Sequence, residues 1–197
     1  HKSSRGLGDV YKRQPFMGVT STFLKGNIPC RIARISFSGE LAFEVYVKSD
    51  FANTMMDLLW ANAKKYDGCL YGLEALGALR VEKGHVTAAE LDGRVTIDDA
   101  GLSKMASTKK SYIGSAMRKR GVLKNNDREI LVGFFPTNLK ETFNAGTIVC
   151  EKNNIKGQGI GRITSVTYSP ELGHWIGLGF VKGGLDKWKD TLSLIHI

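Results

Sequence analysis

The sequence predicts an α+β protein: an antiparallel sheet with helices on one face, followed by a small all-β barrel. Three observations carry that prediction. Two alternating runs flank a turn, two amphipathic helical stretches follow directly, and beyond residue 125 the texture changes to short β segments punctuated by Gly and Asn.

Residues 31–37 (RIARISF) and 43–47 (FEVYV) alternate apolar and polar positions around Ser38-Gly39-Glu40, the pattern of two strands joined by a turn. Phe43, Val45 and Val47 then share one face, and Glu44 and Tyr46 the other, because successive strand side chains point oppositely. A helix is expected next, capped by Ser49, with Asp50 in its first turn. Its apolar side comprises Phe51, Met55, Leu58 and Leu59, and Lys64 and Lys65 suit its C-terminus. A second helix is expected over 73–83, with Leu76 and Leu79 on its apolar side and Gly84 to stop it. Residues 84–127 are polar and turn-rich, and the domain boundary is placed near Asn125. Four strands are expected beyond it, over 129–135, 147–151, 159–168 and 175–182, as a small antiparallel barrel or sandwich.

The expected organisation is therefore an α+β domain over 15–125 and a C-terminal β-barrel over 126–191. Residues 1–14 and 192–197 resemble translated read-through at the ends of an assembled read and are set aside as non-native extensions. The chain has 197 residues, 42% of them hydrophobic, enough for a real core. Its longest apolar runs are strand-sized, far short of the roughly 20 residues a membrane span needs. Cys30, Cys69 and Cys150 are odd in number and lack CxxC spacing, so they read as buried apolar fillers in a reducing cytoplasm and not as a disulfide framework or zinc site. The net charge of +9 admits an anionic partner. Nucleic acid is not expected, since no basic residues interleave with aromatics on a recognisable element. A small polyanionic ligand and a solvated surface explain the excess equally well.

Several candidate motifs have ordinary readings. Asp98-Asp99 invites a metal or acid–base role, but neighbouring side chains do not face each other on a helix and turns use Asp for their own backbone. Gly157-Gln-Gly-Ile-Gly161 imitates a phosphate-binding loop yet leads into a strand, so a hairpin turn is expected. His85 and His174 have no partner at ligand spacing, and no metal site or catalytic triad can be assembled. Glu44, as a carboxylate on the open face of a sheet, can accept two parallel hydrogen bonds from an amino-pyrimidine edge, but spacing alone favours a solvated surface Glu with Phe37 as ordinary core.

Residues 34–45 (RISFSGELAFEV), 71–84 (YGLEALGALRVEKG), 96–102 (TIDDAGL) with 109–114 (KKSYIG), and 161–170 with Thr164-Ser165 and Tyr168-Ser-Pro170 keep a common order. Together they resemble the folate-dependent aminomethyltransferase family, which includes glycine-cleavage T-proteins, dimethylglycine-oxidising enzymes and sarcosine oxidase alpha subunits. The 96–114 segment is most similar to the sarcosine oxidase alpha branch. The resemblance implies that Glu44 binds the pterin ring of tetrahydrofolate and that Phe37 lines its pocket, where several relatives have Tyr. T-proteins usually carry a folate-contacting Arg where this chain has Leu76; Glu74 and Arg80 are the replacements considered, with an Arg80–Glu82 ion pair as the structural alternative.

The implied function is capture of the one-carbon unit of sarcosine oxidation as 5,10-methylenetetrahydrofolate, by positioning and electrostatics. FAD, FMN and NAD are implied only for the rest of the full-length complex, along with its other subunits. The family's catalytic Asp is expected upstream of residue 15, so no catalytic residue is assigned here and the isolated chain is expected to be inactive. A glycine-cleavage aminomethyltransferase, a dimethylglycine-oxidising relative and a non-catalytic T-protein-like scaffold are the alternatives.

Overall fold

In the computed structural model the residues described are 15–125, 127–151, 158–184 and 187. The terminal strings set aside above lie outside them, as does Gly157. The chain divides into two compact units between Leu76 and Gly77.

The first unit is built on a three-stranded antiparallel sheet in the order β1 (Val19–Leu24), β2 (Ile28–Ala33), β3 (Glu44–Val47). Gly26 and Asn27, at φ 86° and 57°, turn the chain from β1 into β2; the left-handed region costs glycine nothing and asparagine little. Register fixes the two faces. Ile32 pairs with Val45 and Cys30 with Val47, so the buried Ile28, Cys30 and Ile32 share a face with the half-buried valines. On the other face Val19, Ala33 and Glu44 form one row across the sheet, and Ser21, Arg31 and Tyr46 the next. The expected sharing of a face by Glu44 and Tyr46 is what the register gives.

Three details differ from expectation. β2 ends at Ala33, so Phe37 lies in a loop over residues 34–43 and not on a strand. That loop turns on Gly39 (φ 93°), whose N–H donates to Ser36 Oγ at 2.9 Å. β1 was not expected at all. And Ser49 opens a 3-10 turn, Ser49–Phe51, with no side-chain capping bond.

Helix α1 (Ala52–Ala63) follows, keeping Phe51, Met55, Leu58 and Leu59 half-buried while residues 52–54 are exposed. The left-handed Asp67 (φ 53°) closes it, and Gly68 donates to the Ala63 carbonyl at 2.9 Å. Of the three thiols, Cys30 is buried, and burial pushes its pKa up. Cys69 is exposed in the connector after α1 and Cys150 is intermediate, so only Cys30 fits the filler role expected for all three.

Helix α2 (Leu73–Lys83) carries the chain into the second unit. It ends in a Schellman turn: Gly84 (φ 75°) donates to Val81 O at 3.0 Å and His85 to Arg80 O at 2.8 Å. Val81 packs with Ile176, Leu178 and Leu131 of the second sheet. That sheet is antiparallel, in the order β4 (Glu129–Phe134), β7 (His174–Lys182), β6 (Gly161–Ser169), β5 (Ile148–Val149). β7 is central and buried over residues 176–181, and Val132, Leu178 and Phe180 are at most 1% exposed. Gly177 and Gly179 leave room for the rings of Phe143 and Phe134, which lie within 3 Å of where a Cβ would sit. Among the described residues no helix is long and apolar enough to cross a membrane.

Phe180→Ala should lower unfolding free energy by about 3–5 kcal/mol, the cost of emptying a packed aromatic site. Ile113→Ala, at a fully exposed position, should stay within about 0.5 kcal/mol of the parent. Urea denaturation followed by circular dichroism checks both.

Candidate functional site

Glu44 opens β3 on the open face, where alternation and pairing with Ala33 hold it. Its carboxylate is exposed and accepts a hydrogen bond from the Tyr46 hydroxyl two residues on, which pushes the phenol pKa up. Phe37, in the preceding loop, is 38% exposed, and Glu74 is exposed in the first turn of α2. Val19, Phe23, Arg31 and Tyr46 complete an exposed surface on Glu44's side of the sheet.

Arg80 sits in a different environment, with 12% of its side chain exposed. Its Nη1 donates to Glu90 Oε2 at 3.0 Å and to His85 O at 3.3 Å, and its Nη2 to Ser165 Oγ at 2.7 Å. The ion-pair partner is thus Glu90 and not Glu82, whose carboxylate instead accepts from Ser169 Oγ at 2.5 Å. Glu90 is fully buried and receives five donors. Besides Arg80 they are Thr87 N–H at 2.9 Å and Thr87 Oγ1 at 3.1 Å, Thr164 Oγ1 at 2.7 Å and Ser165 Oγ at 2.5 Å. Thr164 reaches it because a β-bulge in the β6–β7 ladder falls between Ile163 and Ser165. Burial pushes the Glu90 carboxyl up, but the bonds from Ser165, Thr87 and Thr164 and the charge of Arg80 outweigh it and hold the group below its ordinary range. Glu90 escaped the sequence reading. The available signal was Thr87-x-x-Glu90, the spacing of a capping box.

The adjacent acids Asp98 and Asp99 diverge, each to its own arginine. Arg118 grips Asp98 through Nε at 2.7 Å and Nη2 at 2.6 Å, and Ser103 Oγ adds a bond at 2.6 Å. Arg128 grips Asp99, which also accepts from Thr96 N–H at 2.8 Å and passes its own carbonyl to Leu131 N–H at 2.8 Å. For Asp98 the bond from Arg118 is the chief reason its carboxyl lies low; for Asp99 burial pushes up and Arg128 with Thr96 prevails. Both acids border a cavity of about 800 Å³, whose wall also carries Lys109, Lys110, Lys119 and Lys124. None of Glu44, Phe37, Glu74 and Arg80 lines it. His174 Nδ1 lies 2.9 Å from Trp175 O, a local backbone contact.

Glu90→Gln keeps the shape and removes the charge that Arg80 balances. We expect a loss of roughly 3 kcal/mol at pH 7, the scale for breaking a buried ion pair from one side. The folded Glu90 carboxyl lies below its unfolded value of 4.5, so its contribution is fully present above that value and is lost as pH falls from there through the lower folded value. Urea midpoints measured from pH 7 to 3 should therefore fall more steeply in the parent than in the variant; equal slopes would contradict this role for Glu90.

Residues 8–110 match the family model described as the GCVT N-terminal domain, and residues 130–194 the glycine cleavage T-protein C-terminal barrel domain. Sarcosine oxidase subunit alpha of Rhizobium meliloti is 36% identical over 177 residues, covering 88% of this chain and 18% of its own length. The Corynebacterium sp. (strain U-96) subunit is 31% identical over 94% of this chain and 19% of its own. The mitochondrial aminomethyltransferase of Flaveria anomala is 31% identical, across 84% of this chain and 40% of that protein. The chain thus spans less than a fifth of those sarcosine oxidase relatives. Among solved structures, the glycine cleavage system aminomethyltransferase T of Bartonella henselae superposes with a TM-score of 0.73 at 21% identity, over 90% of this chain and 46% of that one. With both domain models matched in order and the fold shared, this chain belongs to the glycine cleavage T-protein family.

Proposed function

We propose that this chain is the tetrahydrofolate-binding part of a sarcosine oxidase alpha-type subunit, serving capture of the one-carbon unit from sarcosine oxidation as 5,10-methylenetetrahydrofolate. The observation that carries the reading is the direction of Glu44. β-sheet register turns an exposed carboxylate onto a face that also bears Val19, Phe23 and Tyr46. An acid beside apolar and aromatic surface suits a flat heteroaromatic ring with an amino edge, so the residues present fit a folate.

In this reading Glu44 accepts two hydrogen bonds from the pterin edge, and the ring of Phe37 supplies apolar surface. Glu74, in the first turn of α2, adds a second exposed carboxylate. Arg80 was the other folate contact considered. Its nitrogens are engaged with Glu90, Ser165 and His85 O, so its part is to position the end of α2. The folate, when bound, supplies the amine nitrogen that takes up the one-carbon unit. The opposite wall of its pocket and the family's catalytic Asp are assigned to the portion of the relatives that this chain does not span. FAD, FMN and NAD, with the other subunits, belong in the proposal to the rest of the full-length assembly. The domain boundary near Asn125 is retained for that longer protein, between the two matched segments.

A second reading is supported by the Flaveria relative: an aminomethyltransferase of the glycine cleavage type. It shares the folate face and differs in what precedes it. A dinucleotide-binding glycine motif in the upstream coding sequence favours the sarcosine oxidase reading, and its absence from a complete upstream sequence favours the second.

Titration calorimetry of the chain with tetrahydrofolate under reducing conditions tests the shared claim. In this reading the opposite wall belongs to the portion of the relatives that the chain does not span, so binding should be weak, and Glu44→Gln should weaken it by about tenfold or more, the value of a charged hydrogen bond. Tight binding that survives Glu44→Ala unchanged would overturn the assignment.

A further inference from the structure

The cavity bordered by Asp98 and Asp99 has no part in the folate reading, and its chemistry is distinct. Among the described residues, six basic side chains line it (Lys109, Lys110, Arg118, Lys119, Lys124 and Arg128) against two acids. Both acids are already neutralised, Asp98 by the two-point grip of Arg118 and Asp99 by Arg128. That leaves an excess of cationic charge carried by lysines. Among the described residues, no ion pair reaches Lys109, Lys110 or Lys119. Lys124 answers in part to the field of Asp98.

The loop that carries two of the lysines is tied down: Ser107 Oγ accepts from the backbone N–H groups of both Lys109 and Lys110 at 3.2 Å. Arg118, which grips Asp98, also donates to the Tyr112 hydroxyl at 3.4 Å, linking that loop to the acid–arginine pair. Hydroxyls of Thr108, Ser111 and Ser115 add donors around the rim. A concave wall that gathers like charges concentrates potential inside it, and three unmatched ammonium groups there repel one another until an anion enters.

We propose that this cavity is a binding site for a compact polyanion, a small molecule bearing several phosphate or carboxylate groups, held by Lys109, Lys110 and Lys119. Its volume of about 800 Å³ falls within the range of small-molecule sites. One exposed lysine–oxyanion pair is worth little in water, so the ligand must engage several at once. A nucleic acid strand is not the occupant, because among the described residues Tyr112 is the only aromatic side chain in the lining and offers no series of stacking platforms.

The test uses the full 197-residue chain in calorimetry at low ionic strength, with tripolyphosphate in one arm and tri-L-glutamate in the other. Saturable one-to-one binding in either arm supports the site, and the arm that binds more tightly identifies the oxyanion. Lys109→Ala/Lys110→Ala should weaken that binding by about tenfold or more, and Lys119→Ala should weaken it independently. Lys25→Ala/Lys48→Ala removes the same charge from exposed positions in the first unit and should change affinity by less than about twofold. These lysines make no side-chain contact that the fold uses, and matching circular dichroism spectra confirm that each variant is folded. Binding in neither arm, or equal losses in the two double variants, overturns the proposal, the latter because net charge alone then explains the affinity.

Discussion

The second unit depends on one buried carboxylate. Glu90 is fully buried, and an ionised acid there would cost several kcal/mol without partners. Its donors come from separate stretches of chain: Arg80 at the end of α2, Thr87 in the turn after it, and Thr164 and Ser165 on β6. Each stretch must be in place for the acid to be satisfied. The Schellman turn that ends α2 contributes too, because it points the His85 carbonyl at Arg80. The bulge at Thr164 has a matching cause: without the extra residue, neighbouring strand side chains would face opposite sides of the sheet, and two adjacent hydroxyls could not reach one carboxylate. The Thr164-Ser165 pair that marks the family motif is thus a physical requirement of the acid it meets.

The same device recurs through residues 85–128, whose described residues contain no strand and no α-helix. Where backbone ladders are lacking, side-chain pairs tie the chain down. Asp99 joins this stretch to Arg128 and, through its carbonyl, to the first residues of β4. Asp98 binds it to Arg118, and Asp92 accepts from Arg94, whose grip holds that carboxyl at about 2. Arg162 extends the network to Glu129 and lies over the ring of Phe180, 4.9 Å from its centroid. The high charged content of the segment is therefore structural in large part. What the pairing leaves over includes the lysines facing the cavity.

Much of this was legible in the sequence because hairpins and amphipathic helices are local. The four strands of the second sheet each alternate or run apolar between Gly and Asn, and α2 carries its own stop at Gly84. The failures are physical as well. β1 (VTSTFL) has one exposed and one half-covered face, so it lacks the contrast that alternation needs. Residues 34–37 alternate like a strand, yet β3 pairs with β2 only as far as Ala33 and the rest turns away through Gly39. Ser49 fits a cap by composition, but the helix enters through a 3-10 turn that leaves its hydroxyl without that bond. For Glu90 the local Thr87-x-x-Glu90 spacing could report only the contact with Thr87; two of its other partners are more than 70 residues away, and no local pattern reports a contact of that range.

For the candidate site, strand alternation gave Glu44 its direction but not an opposing wall. Availability then separates the acids of this chain. Glu90, Asp98 and Asp99 are gripped by arginines and hydroxyls, and recruiting any of them for a ligand would leave a cation unmatched. Glu44 accepts one bond from a neighbouring tyrosine at the surface, and a ligand edge can replace that donor without uncovering a charge. Glu82 is committed to Ser169. A carboxylate that binds something else must be one the fold does not need. Among the acids at the motif positions, that criterion leaves the exposed Glu40, Glu44 and Glu74, of which Glu44 lies on the open face of the sheet, while the bonds of Arg80 to Glu90 and Ser165 tie it to the architecture.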